Sequence, residues 1–362
     1  MNSKFGGLKL FRVLLFPFAV LYGMVVKLRN YLYDREIIQS TSFNFPVIAI
    51  GNLSVGGTGK SPMVEYLLRL FSPSFKIATL SRGYKRKTRG YVLANDKATA
   101  IDIGDEPMQF HLKFPQVSVA VGEERAIAIP QILFDRPDTD MIIMDDAFQH
   151  RAVKAGLNIL LTAYHDLFSK DYLLPMGSLR DTRSSYRRAD IIVVTKCPVD
   201  ISAEDREATL RSIAPLEHQQ VFFSTIRYGE PYHILTHEKK EFDNQVSVLL
   251  VCAIANPAPL KKFIFESASG CETLYYPDHY IFSIDDLRQI KKRFEKMKGS
   301  NKMIVVTEKD AVRLVKFDTV IKDIPIYVLP IETQFLFEEA ATFNNSVQTF
   351  VESFKEKNML TL

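Results

Sequence analysis

At 362 residues and 47% hydrophobic composition, the chain exceeds the roughly 250–300 residues at which one hydrophobic core stops growing, which predicts two domains. Its 46 Lys and Arg stand against 42 Asp and Glu, and a net charge of +4 is too small to mark a nucleic-acid-binding protein, so no nucleic acid partner is expected and any electrostatic role is local. The three cysteines, Cys197, Cys252 and Cys271, are odd in number and lack the CxxC or Cys/His spacing of a zinc site; they read as small buried hydrophobes in a reducing compartment.

The apolar run Val13–Val26 (VLLFPFAVLYGMVV) has Lys4, Lys9 and Arg12 before it and Lys27 and Arg29 after it. Spanning a bilayer takes about 20 apolar residues, and this run is shorter and contains Pro17. A signal peptide would need a small-x-small cleavage site, and none lies between Tyr22 and Lys27-Leu28-Arg29. A core helix is the plain alternative. The expectation is a helix lying in the membrane interface, its basic flanks against anionic headgroups.

Short β-branched runs then alternate with amphipathic stretches: Val47–Ile50, Ile77–Leu80, Val117–Val121, Met141–Met144, Asn158–Leu161, Ile191–Val194 and Val221–Ser224 read as buried strands. That rhythm predicts an α/β fold, a parallel sheet with helices on both faces. The turn-rich segment Tyr228–Phe242 predicts a linker or small hairpin. A second series follows, with strands at Val246–Val251, Met303–Val306 and Ile326–Leu329 and a helix capped by Ser283 or Asp285. The expected organisation is a core domain over 35–227 that includes the N-terminal helix of 1–34, a linker over 228–245, and a smaller C-terminal α/β domain over 246–362.

The strongest chemical signal is a hydrophobic strand running into Ser54-Val55-Gly56-Gly57-Thr58-Gly59-Lys60-Ser61 and then an amphipathic helix. This is a Walker A phosphate loop in its proper setting, and it predicts a P-loop NTPase-like core. Glycines let backbone N–H groups wrap phosphates at a helix N-terminus, Lys60 reaches the β/γ oxygens, and the Ser61 hydroxyl ligates magnesium. Ser54 stands where the strict pattern has Gly. The partner acid belongs at the end of another buried strand, and Asp145 and Asp146 end Met141–Met144; one of them holds the metal, and the sequence leaves open which. Thr195-Lys196-Cys197-Pro198 puts proline where a guanine-reading carboxylate would stand, so the nucleotide is expected to be ATP.

Nearly end to end, the chain resembles the tetraacyldisaccharide 4'-kinase family, the lipid A 4'-kinases. The resemblance is carried by GNLSVGGTGKSP, LSRGY (Leu80–Tyr84), GDEP (Gly104–Pro107), AVGEER (Ala120–Arg125), DDAFQHR (Asp145–Arg151), LLPMGSLRD (Leu173–Asp181), IANP (Ile254–Pro257), YPDHYIF (Tyr276–Phe282) and TEKDAVRL (Thr307–Leu314). Ala147, Asp181, Tyr280 and Ser61 are mild departures from the family pattern. The resemblance implies transfer of phosphate from ATP, with Mg2+, to the 4'-hydroxyl of an acylated glucosamine disaccharide 1-phosphate. It also implies a peripheral, monotopic enzyme on the cytoplasmic face of the inner membrane, without an obligate protein partner.

In such families the Asp of GDEP, here Asp105, is the base, and the His of the DH motif, here His279, is its partner. A carboxylate paired with an imidazole accepts a proton well because the anion stabilises the imidazolium. With Lys60 these are the expected catalytic residues. Glu106 is expected to position the pair or the metal, and Arg82, Arg125, Arg151 and Arg180, within or beside the matched motifs, are candidates for the phosphates of lipid and nucleotide. Gln149 and His150 are further candidates for contact with nucleotide or sugar. The basic run Arg82–Arg89 reads as a solvated loop or as a surface for anionic headgroups. Thr307-Glu308-Lys309-Asp310 either faces the interdomain cleft or caps a helix. Two other classes share the Walker motifs: an ATPase switch, which would turn over ATP without lipid, and a kinase of a soluble sugar, which would stay active without the residues before Asn30.

Overall fold

The structure is a computed structural model that describes residues 5–243 and 245–359. Helix α1 (Phe5–Asp34) contains Pro17. One stripe of it meets protein: Ala19, Val26 and Asn30 are buried, whereas Leu14, Phe16, Phe18, Leu21, Met24, Val25 and Leu28 all face outward. Among the described residues, no helix is long and apolar enough to cross a membrane. Lys4 and the side chains of Lys9 and Arg12 lie outside the described residues.

The first domain continues as β1 (Thr41–Ser42), β2 (Val47–Asn52), α2 (Lys60–Phe71), β3 (Ile77–Ser81), β4 (Val92–Leu93), α3 (Ala100–Ile103), α4 (Asp105–Lys113), β5 (Ser118–Val121), α5 (Arg125–Asp135), β6 (Met141–Met144), β7 (Val153–Lys154), β8 (Leu157–Ala163), β9 (Ile191–Thr195), α6 (Ala203–Ile213) and β10 (Gln220–Tyr228). Strands β2, β3, β6 and β9 are buried along their whole length, as expected of parallel strands covered on both faces. The second domain follows with β11 (Tyr232–His233), β12 (Ser247–Cys252), α7 (Ala258–Ser267), β13 (Gly270–Tyr275), α8 (Ile284–Lys296), β14 (Lys302–Thr307), α9 (Glu308–Leu314), α10 (Asp318–Ile321) and β15 (Ile326–Leu329). The described residues end with β16 (Ile331–Phe335) and α11 (Ala340–Met359).

The larger sheet has the order β16-β10-β9-β8-β2-β6-β3-β5-β4, parallel from β10 to β5 with an antiparallel strand at each edge. The smaller sheet has the order β11-β15-β14-β12-β13. This corrects the expected boundaries. Strand β11, inside the expected linker of 228–245, pairs with β15 in the second sheet, and the chain does not stay in the second domain to residue 362. Strand β16 returns to pair with β10, and Phe335, Phe343, Val347 and Val351 join the core built on Ile48 and Leu67. The returning strand covers an edge that would otherwise leave a row of backbone groups unpaired. Strand β13 escaped the sequence reading because GCETLY is half-buried and mixed in polarity. Of the two proposed caps for α8, Ser283 is the one used, in a capping box with Asp286.

Candidate active site

In a parallel sheet, the loops that follow the strands open along one edge, and there the site is assembled. The phosphate loop joins β2 to α2, with Gly56 at φ 111 and Gly59 at φ 86, left-handed conformations that side chains disfavour. Asn52, the last residue of β2, is its hub. The side-chain amide donates to Thr58 Oγ1 at 2.8 Å and its Oδ1 accepts from Lys60 at 3.3 Å and Arg180 at 2.5 Å. From the end of β9, Thr195 donates to Thr58 O at 2.8 Å and Lys196 to Gly57 O at 2.5 Å, while Val55 N donates to Ser178 O at 2.8 Å. The loop is therefore held in shape from three sides. Asn52 had no assigned role in the sequence reading, although it lies inside the GNLS motif.

The acidic pair divides. Asp146, at φ 48, accepts two hydrogen bonds from Arg180 and lies 3.5 Å from Lys60. Burial would raise its carboxyl, but the Arg180 hydrogen bonds and the Lys60 charge outweigh that and hold it at about 2. Asp145 is buried, and no group among the described residues bonds its Oδ1. Burial, then the neighbouring Asp146 charge, pushes it up to about 7. A buried carboxylate oxygen left unpaired near the Lys60 charge is the kind of donor a divalent cation takes, so the residues present fit magnesium. Magnesium is commonly held by one or two protein carboxylates together with phosphates and water.

Basic side chains lie within electrostatic reach of the acids. Arg125 is 2% exposed and donates to Gly122 O at 2.5 Å, yet its Nε and Nη2 have no partner among the described residues. Burial brings its guanidinium down to about 10 against the charges of Asp145 and Asp146. Burial, then Arg125 and Arg82, lowers His150 to about 4, so these three side chains share one electropositive environment. Gln149 bridges the phosphate loop and α1: its amide donates to Asn52 O at 2.7 Å, and its own carbonyl accepts from Arg29 at 2.6 Å. Arg151 departs from the expectation. Its guanidinium donates to Asn30 O at 2.9 Å and Asp34 Oδ1 at 2.7 Å and stacks on Tyr33, so it anchors α1.

The second domain completes the site. Asp105 opens α4 on the core, His279 sits in a turn of the second domain at φ 63, and Nδ1 of the imidazole is 2.8 Å from Asp105 Oδ2. A histidine in the left-handed region is strained by about 1 kcal/mol or more and needs surroundings that over-determine it. They are present. The Tyr84 ring meets His279 edge-on at 5.5 Å, Lys309 Nζ lies 3.0 Å from its Nε2, and Arg313 Nη1 donates to Tyr280 O at 2.5 Å. Arg313 also grips Asp105, Nε to Oδ1 at 2.7 Å and Nη2 to Oδ2 at 2.5 Å. Glu106 pairs with Lys309 at 3.8 Å, and its charge reaches Asp145; Asp278 pairs with Lys309 at 3.3 Å. Within TEKD, Thr307 and Asp310 form the cap of α9. Arg313 escaped the sequence reading. The signal for it was the four-residue spacing of Lys309 and Arg313, which puts both on one helix face.

A Walker loop serves hydrolases as readily as kinases. Here a histidine of the second domain meets a carboxylate of the core domain at 2.8 Å, an arrangement suited to taking a proton from an alcohol, and fold and site together define a P-loop kinase. A family model for tetraacyldisaccharide-1-P 4'-kinase matches residues 11–352. Tetraacyldisaccharide 4'-kinase of Flavobacterium johnsoniae is 46% identical over 335 residues, covering 91% of this chain and 94% of its own. That of Bacteroides thetaiotaomicron is 44% identical over 351 residues, covering 93% and 92%. The crystal structure of LpxK from Aquifex aeolicus in complex with ATP superposes with a TM-score of 0.73 at 26% identity, covering 94% of this chain and 99% of that one. The chain belongs to the tetraacyldisaccharide-1-P 4'-kinase family and is an ATP-dependent lipid A 4'-kinase.

Proposed function

We propose that Asp105 takes the proton of the 4'-hydroxyl of the acylated disaccharide 1-phosphate as that oxygen attacks the γ-phosphorus of ATP. The O–H bond breaks, the new O–P bond forms, the bond from the γ-phosphorus to the bridging oxygen breaks, and ADP leaves with that oxygen. The observation that carries this reading is the 2.8 Å contact between Asp105 and His279, made across two domains beside a phosphate loop. Lys60, aimed by Asn52, draws charge from the β/γ oxygens. Asp145 and Ser61 would hold magnesium, which would neutralise charge on those oxygens. The unpaired donors of Arg125, with Arg82, His150 and Gln149, receive the anionic substrate; Arg180 orders Asp146 and Asn52 behind them.

The outward apolar face of α1, on a helix that does not span, supports docking at the cytoplasmic face of the inner membrane, where the acyl chains of the substrate reside. No further protein is required. The test is transfer of labelled γ-phosphate to purified disaccharide 1-phosphate lipid in detergent with magnesium, comparing the parent with Asp105→Ala and Lys60→Ala. Lipid labelling that collapses in both variants upholds the reading. Labelling by Asp105→Ala at the parent's rate removes Asp105 as the base.

A further inference from the structure

Helix α9 carries two cations one turn apart: Arg313 grips Asp105 and also lies 3.3 Å from His279 Nδ1, while Lys309 meets His279 Nε2. We propose that Arg313 and Lys309 are positioning residues that set, respectively, the orientation of Asp105 and the tautomer of His279. The proposal rests on the reading of Asp105 as the base and goes one level deeper. A carboxylate has about four lone-pair sites. Arg313 Nε occupies one on Oδ1, and Arg313 Nη2 and His279 Nδ1 occupy two on Oδ2. One remains, on Oδ1, and that is where the hydroxyl proton goes. The bidentate grip holds the carboxylate plane in place, which a single ammonium cannot do.

Lys309 acts on the other partner. An ammonium can only donate, so at 3.0 Å it makes His279 Nε2 an acceptor. The ring proton is then on Nδ1, donated to Asp105. In this state the imidazole is a neutral donor that orients the base, and a second ring proton would have to displace the Lys309 contact. Arg313 also holds Tyr280 O, so one side chain joins the base of the core domain to the histidine turn of the other.

Arg313→Ala, Arg313→Lys and Lys309→Met are compared with the parent and Asp105→Ala for kcat and for KM towards ATP and lipid, with thermal melting alongside. Arg313→Ala is expected to lose on the order of 10²-fold in kcat, the penalty of a misplaced reacting group, with each KM within about twofold and partial recovery on adding guanidinium ion. Arg313→Lys stays impaired. Lys309→Met loses roughly tenfold in kcat, a small share of what a proton-transfer partner supplies. Independently of any variant's folding, 15N NMR of the parent's neutral imidazoles, with His279→Gln for assignment, is expected to show His279 protonated on Nδ1. A collapse in Asp105→Ala with parental kcat in Arg313→Ala sinks the Arg313 role alone, as does a loss that follows melting temperature and ignores guanidinium. An Nε2-protonated His279 sinks the Lys309 role. Full activity in Asp105→Ala would overturn the underlying reading instead.

Discussion

Asn30 of α1 donates its side-chain amide to Asp181 Oδ1 at 2.8 Å, and the carboxylate it meets is fully buried in the turn that carries Arg180. The same Asp181 accepts from Ser185 at 2.7 Å and Arg188 at 2.9 Å. Tyr22 donates to Arg180 O at 2.9 Å, so two sites on α1 bear directly on the loop that orders Asp146.

Deleting residues 1–34 is therefore expected to disturb the site itself, apart from any effect on docking at lipid. A buried carboxylate stripped of a partner costs about 1–3 kcal/mol, and Gln149 and Arg151 lose their α1 contacts as well. The truncated chain should melt lower and transfer phosphate poorly even to detergent-dispersed substrate. Vesicle co-sedimentation, melting and a transfer assay separate the effects; a stable, fully active truncation that merely fails to bind vesicles would refute the coupling.

Gly104 precedes Asp105 at φ 94, and a Cβ there would meet the backbone of Gly83 and Tyr84 at 3.2 Å. Gly104→Ala is expected to push the start of α4 away from the Arg82–Tyr84 loop and lower kcat by on the order of 10²-fold, since a shift of about 1 Å suffices for that. The KM for ATP should change little, because the phosphate loop is held by Asn52, Thr195 and Lys196. Steady-state kinetics decide it.

The two unpaired donors of Arg125 predict that anions bind and stabilise the folded protein. Sulfate or inorganic phosphate should raise the melting temperature of the parent, and Arg125→Met should abolish that rise while melting no lower without anion, because an unsatisfied buried charge has been removed. Equal anion stabilisation in both proteins would place the anion elsewhere.

Lys113 of α4 pairs with Glu65 of α2 at 2.5 Å and also with Glu308 of α9. Arg69 also reaches Glu65 at 3.4 Å, and among the described residues the ion pair of Glu308 is with Lys113. The proton of Lys113 is held more tightly than usual, because the two carboxylates outweigh the burial that opposes it, and burial, then the Glu65 charge, pushes Glu308 up to about 7 from 4.5. The folded state thus holds a proton that the unfolded chain releases at the lower value. The stability this proton contributes is complete below about 4.5 and is lost as pH rises through about 7. Glu308→Gln should flatten the stability–pH curve over that window by about one proton equivalent, measured by denaturant unfolding at fixed ionic strength. An unchanged slope would remove Glu308 as its source.

The strand rhythm, the phosphate loop, the acidic pair after β6 and the second strand–helix series were legible in the sequence because each is local: side-chain period and loop composition act within a few residues. The pairing of Asp105 with His279 was legible only through resemblance, since nothing in spacing joins residues 174 positions apart. Other features were settled in three dimensions alone. These are the return of β16 to the first sheet, the division that leaves Asp145 Oδ1 unpaired while Arg180 and Lys60 hold Asp146, the contacts of Arg151 with α1, and the grip of Arg313 on a carboxylate 208 positions away. A side chain's type sets which contacts it can make. Which contact it makes depends on the partners that packing places within about 3 Å, and those partners come from distant parts of the chain.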